Sequence, residues 1–284
     1  MNTNPVYRRE MMVSARSMRT SLIIAAFNLV LAAFVLISMV FTIGNGTGGI
    51  EISYATFLYI FRYVAAIEFA LIVIITPALT SGSISGERER HTLDLMLTTR
   101  IRPFDLAAGK LMGALYSMLL IVFSSLPILT LVLAYGGVTV TGLLLLLMTY
   151  AVTALFCACI GICVSSFCRT TGAATVITYL VIGAACGGLP ALLSLLSRYG
   201  EDMNGVFALL TADPLATFYV NVKSITGSRM PVQEMSALFG MDAEYPSLRW
   251  VIISTAVQAV ISVCLLVYAS TRVLPHRKKK SGML

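Results

Sequence analysis

The sequence predicts an all-α integral membrane protein of six transmembrane helices, with an amphipathic helix before the first span and a short cytoplasmic helix between the second and third. Three observations predict it. The chain of 284 residues is 58% hydrophobic and 12% charged, with mean hydropathy +0.88, whereas soluble domains carry about 25% charged residues. Six apolar runs are each long enough to cross about 30 Å of hydrocarbon at 1.5 Å per helical residue. Finally, Lys and Arg cluster in alternate connections between those runs.

Residues 5–19, "PVYRREMMVSARSMR", mix Arg with Val, Tyr and Met behind Pro5. That pattern predicts a helix lying along the membrane interface. The spans follow at 21–43, 57–79, 107–134, 142–166, 172–196 and 249–271. The first is long for a signal-peptide core and lacks a small-residue cleavage site, so it reads as a retained span. Pro77 and the small residues after it are expected to end the second span. Asp105 is placed to cap the third. Pro127, and Gly187-Gly188 with Pro190, are candidates to bend the third and fifth. The long connection 197–248 holds apolar patches such as "PLATFYV", too short to span, which predict short helices dipping into the outer leaflet or lying on it.

Orientation follows from charge. Of twenty Lys and Arg, fifteen fall before the first span, in 81–110, at Arg169, or in the tail from Arg272 onward. Connections 44–56, 135–141 and 197–248 carry only Arg198, Lys223 and Arg229. Both termini and segment 81–110 are therefore expected in the cytoplasm, and the net charge of +7 reports topology rather than nucleic-acid binding.

Several motifs resemble chemistry without the context it needs. "GNGTGG" at 44–49 fits G-x-G-x-x-G, but it follows a membrane span instead of a strand and reads as a turn. The chain contains no G-x-x-x-x-G-K-[ST], H-E-x-x-H or G-x-S-x-G, and histidine is limited to His91 and His276. An enzyme is not expected, nor a cofactor on this chain. Cys157, Cys159, Cys163 and Cys168 lack a zinc spacing and a nearby His, so they read as small packing residues and no metal site is expected. Gly109-x-x-x-Gly113 and Gly183-x-x-x-Gly187 fit close helix packing.

The second span contains Arg62 and Glu68. An acidic residue near a span centre costs about 2.5–3.5 kcal/mol on insertion scales. Glu68 is thus a candidate for a translocation path or for a hydrogen bond that locks helices together. Arg62, six residues nearer the outside, reaches the outer interface by snorkelling and does not share a face with Glu68.

Segment 81–106 is densely charged. "ERERHTLDLML" predicts a short helix over 87–97 with Leu93, Met96 and Leu97 as one apolar stripe and Glu87, Arg88, Glu89, Arg90 and Thr92 around it. Such a stripe at the cytoplasmic surface needs a cover, either lipid or a soluble partner. "NPVYRRE" at 4–10, "SISGERERHTLDLMLTT" behind Pro77, Gly109-Lys110 at the third span and "ADPLATF" at 212–218 together resemble the type-2 ABC exporter permeases. The resemblance covers the whole layout, and its specific part is about forty residues.

The resemblance implies a single permease domain over 1–284, built as a dimer of this chain or with a homologous permease. It would sit in the inner membrane of a bacterium with cytosolic ABC ATPases that hold ATP and Mg. It implies that 81–106 is a coupling loop whose helix docks on the ATPase, with Glu87, Glu89, Thr92, Leu93 and Leu97 matching the family's residues. Arg8, Arg9 and Glu10 would open the interfacial helix, and transport would be export. An ATP-independent carrier or channel, and a non-transporting sensor or scaffold, are the alternatives. The spans point to no particular cargo.

Overall fold

The computed structural model describes Met12 and residues 18–44, 54–92, 103–136, 139–196, 208–238 and 245–273. In chain order these form α1 (Met18–Gly44), α2 (Tyr54–Thr80), α3 (Ser85–Glu89), α4 (Pro103–Gly136) and α5 (Val140–Phe167). Then come α6 (Thr171–Gly183), a π turn at Ala184–Gly188, α7 (Leu189–Leu196), and a 3-10 turn at Ala208–Ala212. Helices α8 (Pro214–Ile225), α9 (Pro231–Ala237) and α10 (Ser247–Val273) complete the chain. No strand occurs among the described residues. Six helical stretches are long and apolar enough to cross a membrane, with α6 and α7 together making the fifth. The chain is an all-α integral membrane protein.

α5 is the most enclosed span, packed against α2, α4, α6, α8 and α10, while α1 and α6–α7 are the least enclosed. The core has two poles. Around α3, Ile84, Leu106, Leu111, Ile162 and Ala269 are buried together. At the opposite end, Leu193, Leu210, Val220, Val232 and Trp250 form a second cluster. Between them runs the main apolar core of α1, α2, α4 and α5, joined by Phe218 of α8.

Several boundaries differ from expectation for physical reasons. α2 continues past Pro77 to Thr80, and Ser81 N–H still donates to the Pro77 carbonyl at 2.8 Å. A proline near a helix C-terminus removes a donor upstream but leaves its own carbonyl free to accept. α4 begins at Pro103 instead of residue 107, because proline fits the first helical position, where no N–H partner is needed. Asp105 therefore stands in the first turn of α4. The fifth span is not one regular helix. Pro190 has no N–H to offer one turn back, and Gly187-Gly188 carry no side chains to resist a shift, so the ladder slips into a π turn at 184–188.

The close approach in the bundle occurs at Gly161 of α5. A Cβ there would collide with Thr80 Oγ1 and lie 2.9 Å from Thr80 Cβ, so only glycine lets α2 and α5 touch. The Gly183-x-x-x-Gly187 pair has no such neighbour, since a Cβ at either position meets nothing within 4 Å.

The connection before α10 dips into the bundle. Phe218 of α8 stacks on Phe69, in the middle of α2, with centroids 4.3 Å apart. Its first turn is capped by the buried Asp213, whose Oδ1 accepts from Leu215 N–H at 2.8 Å. A capped N-terminus satisfies donors that have no water to turn to, which makes burial of that end tolerable.

Candidate functional site

α3 is only five residues long, yet nearly every polar group on it is engaged by another element. The N–H groups of Ile84 and Ser85 both donate to Ser165 Oγ of α5, at 3.0 and 2.9 Å. Glu87 pairs with Lys110 of α4 at 2.7 Å, with side chains 18% and 7% exposed. Arg88 Nη1 donates to the Cys168 carbonyl at the end of α5, 2.8 Å away. Glu89 Oε2 accepts from both N–H and Oγ1 of Thr171, at 3.0 and 2.9 Å. Thr170, in the capping position of α6, makes no side-chain cap bond. Glu89 thus caps α6 from a different element. Gly86 permits this contact, because a Cβ there would sit 3.3 Å from Thr171 Cγ2.

The helix predicted over 87–97 is corrected by this geometry. α3 lies earlier, over Ser85–Glu89, and the chain turns at Arg90 and His91, where His91 takes φ 56°. A non-glycine residue in the left-handed region ends a helix. Beyond the break, Arg90, His91 and Thr92 are exposed, with Thr92 Oγ1 donating back to the Glu87 carbonyl at 3.1 Å. Leu93, Met96 and Leu97, like Arg8, Arg9 and Glu10, lie outside the described residues. The predicted cluster is therefore split: Glu87 and Arg88 are half-buried against the bundle, Glu89 is bonded to Thr171 while staying exposed, and Arg90 and Thr92 face out.

A second polar feature lies in mid-bundle. Glu68 of α2 is fully buried and accepts a hydrogen bond from Ser125 of α4. Tyr150 of α5 lies against Glu68 and donates to the Ala65 carbonyl at 2.9 Å. These groups join three helices. Nearby, Asn221 of α8 donates to Thr149 Oγ1 at 2.7 Å, and Gln258 of α10 donates to Thr217 Oγ1 at 2.8 Å. A groove of about 610 Å³ runs between α4 and α5; Tyr150 lines it among Met118, Phe123, Leu144 and Met148, and Glu68 does not.

At the end of the bundle away from α3, Arg62 Nη2 donates to Thr226 Oγ1 at 3.3 Å, and the guanidinium lies over the Tyr59 ring. It does not approach Glu68 as a partner, in keeping with their separation around the helix. Lys223 pairs with Glu234 at 2.9 Å. Hydrogen bonds from Ser228 and Lys223 hold the Glu234 carboxyl below its ordinary pKa, and Glu234 raises that of Lys223. Exposed pairs of this kind contribute about 0–1 kcal/mol, so they fix loop register more than they hold the fold.

Over residues 52–268 the chain matches the family described as ABC-2 family transporter protein, which takes in more than half of its length. The chain belongs to that family. Among curated proteins none matches it. An ABC-2 chain is a transporter permease, so α1 to α10 form a component of membrane transport and not a catalyst. The sequence singles out Glu87–Arg90 and Glu68. It does not single out Lys110 as the partner of Glu87, nor Ser165, Thr171, Thr175 and Tyr179. For the last three a signal existed: hydroxyls spaced by four residues at 171, 175 and 179 mark one polar stripe on an otherwise apolar helix.

Proposed function

We propose that this ABC-2 chain is the permease subunit of an exporter driven by a separate ATP-binding subunit, which would hold ATP and Mg and supply the hydrolysis. The single observation that carries the reading is the α3 junction. A five-residue helix is tied to α4, α5 and α6 at once and ends in an exposed turn at Arg90–Thr92. A solvated connector has no need of such anchoring. A handle does, because a partner can bias the bundle only through contacts that differ between its states.

In this reading Arg90, Thr92 and the following 93–97 segment meet the ATPase, and the interfacial segment with Arg8, Arg9 and Glu10 adds to that surface. The α3 end faces the cytoplasm with both termini, in agreement with the placement of Lys and Arg. Two copies form the path, and the membrane is the cell membrane.

The experiment is a mild-detergent pull-down of the tagged chain from its native membranes, run beside Leu93→Asp and Arg90→Glu. A soluble subunit bearing a P-loop is expected with the wild type and is lost or strongly reduced with both variants, while their membrane insertion is unchanged. Absence of any ATPase from the wild type, at every detergent strength, would support an ATP-independent carrier or a scaffold instead.

A further inference from the structure

The stripe at Thr171, Thr175 and Tyr179 does more than fill space. Each residue is bonded to the α2–α3 arm. Thr171 receives its cap from Glu89. Thr175 Oγ1 lies 3.0 Å from Ser81 Oγ, in the turn between α2 and α3. Since Thr175 already donates to the Thr171 carbonyl at 2.9 Å, Ser81 must be the donor. Tyr179 Oη donates to the Ile74 carbonyl of α2 at 2.7 Å. Residues four apart on a helix share a face, so these bonds form a ladder of three rungs along two turns of α6.

The ladder stops where the helix changes. Directly after Gly183 the regular hydrogen-bond pattern gives way to the π turn at Ala184–Gly188. Past it, Leu193 of α7 is buried with Leu210, Val220 and Trp250 in the cluster at the opposite end. The two halves of the fifth span thus have different neighbours: α6 packs on α5 and is bonded to the α2–α3 arm, whereas α7 packs on the dipping connection and the start of α10. A π turn within a span is a site where the ladder of i to i+4 bonds has already been broken. Gly187 adds no obstacle, since even a Cβ there would meet nothing within 4 Å.

We propose that Thr171, Thr175 and Tyr179 are positioning residues that make α6 move with α2 and α3, and that the π turn at Ala184–Gly188 is the hinge between this body and α7. The proposal rests on the reading of the α3 end as the ATPase docking site. It adds the route by which a displacement at that site reaches the fifth span, with the exposed Glu89 as its first link. Three bonds spread over two turns hold α6 in register with the arm, so bending concentrates at the weak point beside them.

Cys186 lies in the hinge, partly exposed, packed against α5 near Phe156, Cys157 and Ile160. It serves as the reporter. Cys168 and Cys264, the other two cysteines that are not buried, are replaced by Ser. The chain with its co-purified ATPase is placed in nanodiscs, and the rate of N-ethylmaleimide attachment to Cys186 is read by intact mass, with and without ADP and vanadate. The expected result is a nucleotide-dependent change of about threefold or more. It is abolished in Thr175→Val with Tyr179→Phe and restored when Thr175→Ser replaces Thr175→Val. ATPase binding and ATP hydrolysis stay unchanged, because neither residue lies on the docking surface. If the double variant lowers thermal stability but keeps the nucleotide response, the ladder is structural only and the proposal fails. A wild-type Cys186 that ignores nucleotide overturns the hinge. A wild type that brings no ATPase down overturns the docking reading first, and this inference with it.

Discussion

Glu68 receives the Ser125 hydroxyl and adjoins Tyr150 with no exposure at all, so its first role is to join α2, α4 and α5. Glu68→Gln preserves shape and an acceptor for Ser125. It is expected to keep thermal stability in detergent, whereas Glu68→Ala leaves a cavity between the three helices and costs about 2–4 kcal/mol. Fluorescence-detected thermal unfolding checks both. A Gln variant of normal stability that no longer transports would place the carboxyl on the cargo path instead. Gly161 supports a second prediction. An added Cβ there would overlap Thr80 Oγ1 and come within 2.9 Å of Thr80 Cβ, so Gly161→Ala overpacks the α2–α5 contact. The expected cost is about 1–3 kcal/mol, partly recovered by adding Thr80→Ala, which removes the nearer atom but not the second. Equal effects in the single and double variants would show that the helices part without cost.

Elements differ in how far the sequence announced them. Each span declares itself through about twenty consecutive apolar residues, a local property that needs no knowledge of neighbours. The dipping of α8 was half legible: "PLATFYV" is too apolar to leave in water, but only its stacking on Phe69 fixes where it goes. The α3 junction was legible in composition and not in pairing. Glu87 chooses Lys110 and Glu89 chooses Thr171, at separations of 23 and 82 residues, and neither i, i+4 logic nor charge alternation reaches that far. The buried pair makes its own prediction. Lys110→Met strands Glu87 in a site only 18% exposed, and breaking such a pair from one side costs about 3–5 kcal/mol. Adding Glu87→Gln to Lys110→Met removes the stranded charge and is expected to recover at least half of that loss. Thermal unfolding of the two variants decides it. No recovery in the double variant would mean that the pair does not act as a unit.

Viewed as a whole, the molecule is polarised. The end that carries α3 also carries Arg88, Arg90, Lys110, Arg169 and Arg272, whereas Arg62, Lys223, Arg229 and Arg249 lie toward the other. Positive charge resists transfer across the bilayer during insertion, so the richer end is expected to stay inside. Introduced cysteines test this directly. Arg90→Cys is exposed beside the α3 break, and Arg229→Cys is exposed in the turn after α8. In intact cells a membrane-impermeant maleimide is expected to label Arg229→Cys and to spare Arg90→Cys until the membrane is opened by detergent. Cys168, Cys186 and Cys264 are first replaced by Ser, which leaves a low background because Cys157, Cys159 and Cys163 are buried in α5. Labelling of Arg90→Cys alone would invert the topology. It would also take α3 out of reach of any cytosolic ATPase, since a handle on the outer face cannot be pulled from within. Orientation and coupling therefore stand or fall on one accessibility measurement, made without knowing the cargo.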